Sequence, residues 1–282
     1  MGYANPDILV SPHWLHQHKD DPNLVIVDCP WEYYSYTRAH IPGAVCRPEH
    51  AYIKNVDEEL GQTVLVADLK EVEKLCMDLG IGADSTVVAY DEWGSIFATR
   101  FWWVLGYYGF NKVKVLDGGW QNWVSSGLPI SFTSSKPKEI TNRVKLKANP
   151  EMLVTIDELL QKYDNPSWQV LDVRSADEYH GHAAHGNTRI GHVPGAIHFE
   201  WDRLFENSKD AEGIRPFKSA DDIEAFFNSA RIDSSKNIVT HCQAAVRATL
   251  VAFALELIGY GKVKVYDGSM AEWANRDDTP LE

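Results

Sequence analysis

Short hydrophobic runs alternate along the chain with longer segments of helical periodicity. Segments such as Leu69–Leu79 and Ala248–Ile258 carry hydrophobic residues at helical spacing. The short runs are rich in β-branched residues and predict strands; they are Val25–Val27, Val87–Ala89, Val113–Leu116, Val170–Val173, Ile238–Thr240 and Val263–Tyr266. This alternation predicts an α/β fold with mainly parallel sheets covered by helices on both faces. Ligands of such sheets bind beyond the carboxyl ends of the strands.

The chain also contains a long internal repeat. HIPGA at residues 40–44 returns as HVPGA at residues 192–196, and KVKVLDGG at residues 112–119 returns as KVKVYDGS at residues 262–269. A period this long excludes a solenoid and indicates duplication of a whole domain. We predict an N-terminal domain at residues 1–135, a polar linker at residues 136–149 and a C-terminal domain at residues 150–282.

Composition narrows the function. The chain has 282 residues, 44% of them hydrophobic and 24% charged, as in a globular protein. Its 27 basic and 40 acidic residues argue against nucleic acid or a membrane surface as a partner, because phosphate binding needs clustered Lys and Arg. No hydrophobic run approaches the roughly 20 residues of a membrane span, and Met1–Val10 lacks a secretory pattern. These features predict a cytoplasmic protein.

The four cysteines (Cys29, Cys46, Cys76 and Cys242) lie far apart, which favours free thiols over a disulfide or zinc framework. Cys242 stands where a predicted strand ends, and a helix is expected to begin near Arg247. The small residues Ala244 and Ala245 allow a tight turn whose N–H groups form an anion-binding nest.

A thiol in such a nest is stabilised as a reactive thiolate, and Arg247 adds paired N–H donors for an oxyanion. The loop can therefore bind an anion and attack it. The alternative is that Cys242 is a small core residue. In the first half, Asp91 stands opposite Cys242 and Ile96 opposite Arg247, so we expect that half to be non-catalytic.

These motifs resemble those of the two-domain rhodaneses, the thiosulfate and 3-mercaptopyruvate sulfurtransferases. The resemblance rests on HIPGA and HVPGA, on DVRSADEY at residues 172–179, on the paired KVKV segments, and on a six-residue cysteine loop in the C-terminal half alone. It implies two tandem rhodanese-like domains, the second one catalytic, with the pocket in the cleft between them. Cys242 would carry sulfane sulfur as a persulfide in ping-pong kinetics, with no metal or organic cofactor. The implied cradle for this sulfur is the backbone of Gln243, Ala244, Ala245, Val246 and Arg247.

The resemblance leaves donor and acceptor open. Related phosphatases use Cys-x5-Arg, whereas the shorter Cys-x4-Arg of this chain fits a sulfur atom better. Thiosulfate is favoured over mercaptopyruvate as the donor because Glu178 stands where we expect one of the arginines that bind the mercaptopyruvate carboxylate. Cyanide, glutathione, a thioredoxin-like protein or a biosynthetic protein could be the acceptor. A non-enzymatic persulfide carrier or interaction module is the alternative of another class.

Two further arginines are candidates for donor binding. Arg174 and Arg189 could hold the sulfonate end of the donor, or Arg174 could be a structural partner of Asp172 or Asp177. We expect His241 to be a packing residue, since adjacent side chains of an extended segment point in opposite directions. Asp267 is expected to hydrogen-bond the cradle or turn backbone, and Ser269 replaces the second glycine of the first repeat's DGG.

Overall fold

The computed structural model describes residues 2–47, 53–57, 62–206 and 213–282. The strands of the first half are β1 (Leu9–Val10), β2 (Leu24–Asp28), β3 (Val45–Cys46), β4 (Lys54–Asp57), β5 (Gln62–Val66), β6 (Thr86–Tyr90) and β7 (Val113–Leu116). Its helices are α1 (Pro12–His18), α2 (Tyr33–Arg38), α3 (Leu69–Asp78), α4 (Ile96–Tyr107) and α5 (Gly119–Ser125).

The second half repeats this order, except that its described residues contain no counterpart of β4 and β5. Its strands are β8 (Leu153–Val154), β9 (Trp168–Asp172), β10 (Ile197–His198), β11 (Asn237–His241) and β12 (Val263–Tyr266). Its helices are α6 (Ile156–Lys162), α7 (Ala176–Tyr179), α8 (Ala220–Ser229), α9 (Val246–Leu257) and α10 (Ser269–Trp273). Short 3₁₀ helices lie at Pro6–Ile8, Pro150–Met152 and Trp201–Leu204.

Each half is built on a parallel sheet with helices around it, as predicted. The strand orders are β1-β7-β6-β2-β3 and β10-β9-β11-β12-β8, and every pairing within these two sheets is parallel. The central strands are therefore β6 and β11. All six predicted strands are present, whereas β1, β3, β8 and β10 have two residues each and are too short for a periodic signal.

The two halves share a hydrophobic core that is centred on α4 and α9. Trp102 on α4 meets Phe253 on α9 edge to face, with ring centroids 5.0 Å apart. Both helices are apolar around most of their circumference because they contact their own sheet and each other. Arg100 is a fully buried charge within α4.

The segment after α5 returns along the first half. Lys138 Nζ donates to the carbonyl oxygens of Asp21, Pro22 and Leu24 at 3.0, 2.9 and 2.7 Å. The Lys147 amide donates to the Tyr108 carbonyl at 2.9 Å. The residues proposed as a linker are therefore packed against the N-terminal domain. Within the described ranges, no helix is both long and apolar enough to cross a membrane.

Candidate active site

Cys242 directly follows β11, the central strand of the second sheet. The loop turns at Ala245, whose φ of 62° lies in the left-handed region, and α9 begins at Val246, one residue earlier than expected. The first amides of a helix have no partner within the helix and favour anions. The Cys242 side chain thus lies at the amino end of α9, and the residue is only 2% exposed.

The turn between β12 and α10 holds the main chain of this loop. The Cys242 amide donates to Ser269 Oγ at 3.2 Å, and the Met270 amide donates to the Cys242 carbonyl at 3.0 Å. The Ala271 amide donates to the Gln243 carbonyl at 2.9 Å. Ser269 has a φ of 54°, an unfavourable conformation for a residue with a Cβ atom. The sequence indicated Ser269 only as a change in this turn, yet its hydroxyl accepts a hydrogen bond from the backbone amide of Cys242.

The matching loop of the first half binds an anion that belongs to the protein itself. Asp91 Oδ1 accepts hydrogen bonds from the amides of Trp93 and Ser95 at 2.7 and 2.9 Å. Asp91 Oδ2 accepts from the amides of Phe97 and Ala98, both at 2.8 Å. Burial raises the pKa of Asp91 to about 6 despite these hydrogen bonds, so the carboxyl group is ionised at neutral pH. The loop of the first half is therefore an anion nest, and the Asp91 carboxylate fills it.

One correspondence between the halves needs correction. Ser95 precedes α4 with a φ of 65°, just as Ala245 precedes α9, so these two residues are equivalent. Arg247 then corresponds to Phe97 and not to Ile96. The loop of the first half is one residue longer, which sequence alignment alone did not reveal.

Arg247 is bound by a carboxylate. Its Nη1 and Nη2 lie 2.7 and 2.8 Å from the two oxygens of Glu178, a bidentate pair. Glu178 is 2% exposed and forms a capping box with Ser175 at the start of α7. Burial alone would raise the pKa of Glu178, but Arg247 and Ser175 lower it to about 2. The charge of Arg247 is thus neutralised by the buried Glu178 carboxylate. The sequence had shown only that residue 178 is acidic where an arginine was expected.

The two other candidate arginines are engaged elsewhere, so the expectation that they bind the donor is not supported. Arg174 is 2% exposed and forms hydrogen bonds with both oxygens of Asp172 at 2.6–3.1 Å and with the Gly191 carbonyl at 2.8 Å. Arg189 donates to the Thr279 carbonyl at 2.7 Å and to the Trp273 carbonyl at 3.0 Å. Both guanidinium groups hold the fold of the C-terminal half, which was the alternative considered for Arg174.

The remaining loop residues differ in exposure. Ala245 and Val246 are buried, whereas Gln243 and Ala244 are partly exposed. The Gln243 and Asn187 side-chain amides pair reciprocally at 2.7 and 3.1 Å. Asn187 therefore fixes the outer edge of the loop.

His241 has the surroundings of a packing residue. It is fully buried, and its Nε2 lies 3.9 Å from Asp172 Oδ2. Burial lowers the pKa of His241, so the ring is neutral at physiological pH. Among the residues that the structure describes, no cluster of His, Cys, Asp or Glu is arranged to hold a metal ion.

Asp267 joins the loop region to the first half of the chain. Arg100 Nη1 lies 2.6 Å from its Oδ1, and the Val66 amide donates to its Oδ2 at 2.5 Å. Lys54 Nζ donates to its carbonyl at 2.7 Å. The site is thus assembled from both halves, although the sequence had suggested that the N-terminal half is structural only.

A family model for the Rhodanese-like domain matches residues 11–126 and again residues 155–276. The chain belongs to the rhodanese family. A protein of Thermus thermophilus described as sulfur carrier protein TtuD is 32% identical, covering 100% of this chain and 98% of its own. The thiosulfate sulfurtransferase of Azotobacter vinelandii is 31% identical, covering 99% of this chain and 98% of its own. The 3-mercaptopyruvate sulfurtransferase of Escherichia coli K12 is 29% identical over 97% of each chain. This rhodanese is therefore a member of a sulfurtransferase family.

Solved structures share its fold. The anaerobic ergothioneine biosynthesis enzyme from Chlorobium limicola superposes with a TM-score of 0.85. The match covers 99% of this rhodanese and 71% of that enzyme at 24% identity. At this identity the likeness concerns the tandem-domain architecture only.

Proposed function

We propose that this rhodanese moves sulfane sulfur from thiosulfate to a thiophilic acceptor through a persulfide on Cys242. The observation that carries the proposal is the pair of matching loops. One loop binds the Asp91 carboxylate with four amides, and the other places a cysteine at the same strand end. A nest of this kind stabilises a thiolate and equally the terminal sulfur of a persulfide anion.

The first half-reaction loads the cysteine. The Cys242 thiolate attacks the outer sulfur of thiosulfate, and a new sulfur–sulfur bond forms. The sulfur–sulfur bond of the donor breaks, and sulfite leaves with the bonding electron pair. The negative charge of the thiolate is then carried by the terminal sulfur of the persulfide, which lies among the loop amides.

The second half-reaction transfers the persulfide sulfur from Cys242 to the acceptor. Cyanide or a thiolate attacks the terminal sulfur, the persulfide bond breaks, and its electron pair restores the Cys242 thiolate. Thiocyanate or a new persulfide is released. Glutathione, a thioredoxin-like protein or a biosynthetic protein are the acceptor classes proposed. All four cysteines are free thiols, which suits the reducing cytoplasm that we propose as the location.

Steady-state kinetics test this scheme. With thiosulfate and cyanide both varied, a double-displacement mechanism gives parallel double-reciprocal lines. The same assay with mercaptopyruvate compares the two donors directly, since relatives with both names match the chain. Intersecting lines would contradict a persulfide that remains on the enzyme after sulfite has left and before the acceptor binds.

The ion pair of Arg247 favours a second candidate function. Glu178 occupies both terminal nitrogens of the guanidinium group, so a doubly charged donor must compete with a buried carboxylate. A persulfide donor presents only the single charge of the sulfur being transferred. The second candidate is thus a sulfur carrier loaded by a persulfidated protein. Its test is sulfur transfer from a persulfidated donor protein in the absence of small anions, and lack of transfer would reject the carrier role.

A further inference from the structure

The first half of the chain places two cationic side chains on the turn beneath Cys242. Arg100 is fully buried on α4, and its Nη1 lies 2.6 Å from Asp267 Oδ1. Lys54 on β4 has a side chain that is 1% exposed, with Nζ 2.7 Å from the Asp267 carbonyl and 3.6 Å from Oδ2. Burying two charges costs free energy unless they are paired, so this arrangement calls for a reason.

The same turn carries the groups that hold the nucleophile. Asp267 follows β12, and two residues later Ser269 Oγ accepts the Cys242 amide hydrogen at 3.2 Å. The Met270 amide donates to the Cys242 carbonyl at 3.0 Å. Contacts thus run without interruption from Arg100 and Lys54 through the turn to both main-chain polar groups of Cys242. A movement of Asp267 would displace the cysteine relative to the nest.

The charges of Arg100 and Lys54 also act on the Cys242 sulfur, in addition to their effect on its position. Arg100 and Lys54 place two cationic groups beside the loop, both in contact with the Asp267 carboxylate. Burial lowers the pKa of Lys54 while Asp267 opposes that shift, and Cys242 lies near enough to interact with the Lys54 charge. A positive field at this place favours sulfur in its anionic form.

The equivalent turn of the first half keeps the backbone contact, since the Trp120 amide donates to the Asp91 carbonyl at 2.9 Å. Among the described residues, however, no Lys or Arg forms an ion pair with Asp117. Asp117 accepts a hydrogen bond from the Phe217 amide at 2.9 Å, and helix alignment places Leu250 where α4 has Arg100. Gly119 stands in place of Ser269 and has no hydroxyl group. The repeated fold therefore does not require the cationic cluster, which the described residues form at the turn beneath the cysteine and not at the Asp117 turn.

We propose that Arg100 and Lys54 are positioning residues for Cys242 and act through Asp267 and Ser269. The N-terminal half is then part of the reaction machinery. This inference rests on the proposed function in one respect, namely that Cys242 is the reacting thiol.

The experiment uses the full chain and two readouts: kcat and KM with thiosulfate and cyanide, and the rate at which iodoacetamide alkylates Cys242, followed by peptide mass. Arg100→Leu copies the residue of the other half. We expect kcat and the alkylation rate to fall roughly tenfold or more, with KM changed less than about twofold, because misplacement of a reacting group chiefly lowers kcat. Arg100→Lys should recover part of both rates.

Ser269→Gly separates positioning from stability. Glycine adopts a positive φ readily, and this relief offsets part of the free energy lost with the two hydrogen bonds of the Ser269 hydroxyl, so the protein should remain folded with a melting temperature lowered by only a few degrees. Loss of the hydroxyl contact should nevertheless lower kcat and the alkylation rate. This variant keeps the proposal testable even if Arg100→Leu does not fold.

Tyr3→Phe is the matched control. It removes a 2.6 Å hydrogen bond from Tyr3 to the Lys218 carbonyl, which joins the halves on the Asp117 side. It should leave both rates unchanged. Wild-type rates in Arg100→Leu and Ser269→Gly would overturn the proposal. Alkylation needs no sulfur donor. If wild-type Cys242 is alkylated normally but the wild type transfers no sulfur, the proposed function is contradicted. Slower alkylation in Arg100→Leu and Ser269→Gly would still support the positioning role.

Discussion

The Asp91 and Cys242 loops differ mainly in what fills the anion nest. Both follow the central strand of a parallel sheet, turn through a left-handed residue and open a buried helix. Asp91 closes its nest with its own carboxylate through four amide hydrogen bonds. Cys242 ends the matching strand with a thiol. The fold thus gives both loops the same turn at the start of a buried helix. In the proposed mechanism, the residue at the strand end decides whether a protein carboxylate or substrate sulfur occupies the nest.

Cys242→Ser should have the largest effect on activity. A hydroxyl group does not form a persulfide, so we expect turnover to fall at least about 10³-fold, as is usual when a covalent nucleophile is lost. Cys46→Ser is the control, because Cys46 is partly exposed and lies outside the loop. Sulfur transfer assays with purified variants measure both. Substantial activity in Cys242→Ser would show that sulfur transfer does not need the Cys242 thiol, which would contradict the proposed catalytic difference between the two halves.

Asp91→Asn should cost stability. The carboxamide group presents N–H donors to two of the four amides that now donate to the carboxylate. This loss outweighs the free energy regained by removing a buried charge, so we expect a net cost of roughly 1–2 kcal/mol. Urea unfolding measures the change in the free energy of unfolding. Asp20→Asn, at a side chain that is 87% exposed, is the control and should stay within about 0.5 kcal/mol of wild type. Equal stability of both variants would show that the Asp91 nest contributes nothing.

The pKa values of Asp117 and Asp267, the aspartates of the two turns, are shifted in opposite directions. Burial raises the pKa of Asp117 to about 6, whereas for Asp267 burial is outweighed by Arg100 and Lys54, which lower its pKa. A folded-state pKa above the unfolded value means that stability falls as pH rises from about 4 to 6. Asp117→Asn should flatten that slope and stabilise the protein at pH 7 by roughly 1–2 kcal/mol. Thermal melts between pH 4 and 7 measure the effect, and an unchanged slope would contradict it.

Glu178→Gln should have the smallest effect, on donor affinity. Removing the carboxylate frees Arg247 for an anionic donor, so KM for thiosulfate should fall several-fold, a change of about 1 kcal/mol. Arg247→Ala should raise KM instead. Initial rates at varied thiosulfate distinguish the two variants, and a rise in KM for Glu178→Gln would show that the ion pair assists donor binding.

The alternation of short hydrophobic runs with helical segments, together with the internal repeat, was enough to predict the α/β fold of each half. All six hydrophobic runs are strands, and the KVKV repeat located equivalent turns at Asp117 and Asp267. The site was foreseen less completely. Cys242 and its loop follow from local order along the chain, since small residues after a strand predict a tight turn.

The partners of the arginines did not follow from local order. Arg247 pairs with Glu178 across 69 residues, and Arg100 meets Asp267 across 167. Such pairs depend on how α7 and the two halves pack, which hydrophobic periodicity does not encode. The sequence left two roles open for Arg174 and Arg189 for the same reason, because their partners, rather than their places along the chain, decide whether they are available to bind substrate.

Intact mass of the protein tests the difference between the two loops most directly. Wild type and Cys242→Ser are incubated with thiosulfate and, separately, with a persulfide donor, and are then treated with cyanide. We predict that wild type alone gains the mass of one sulfur atom and loses it again with cyanide. No gain on wild type from either donor, or an equal gain on Cys242→Ser, would contradict the assignment of Cys242 as the sulfur-accepting residue.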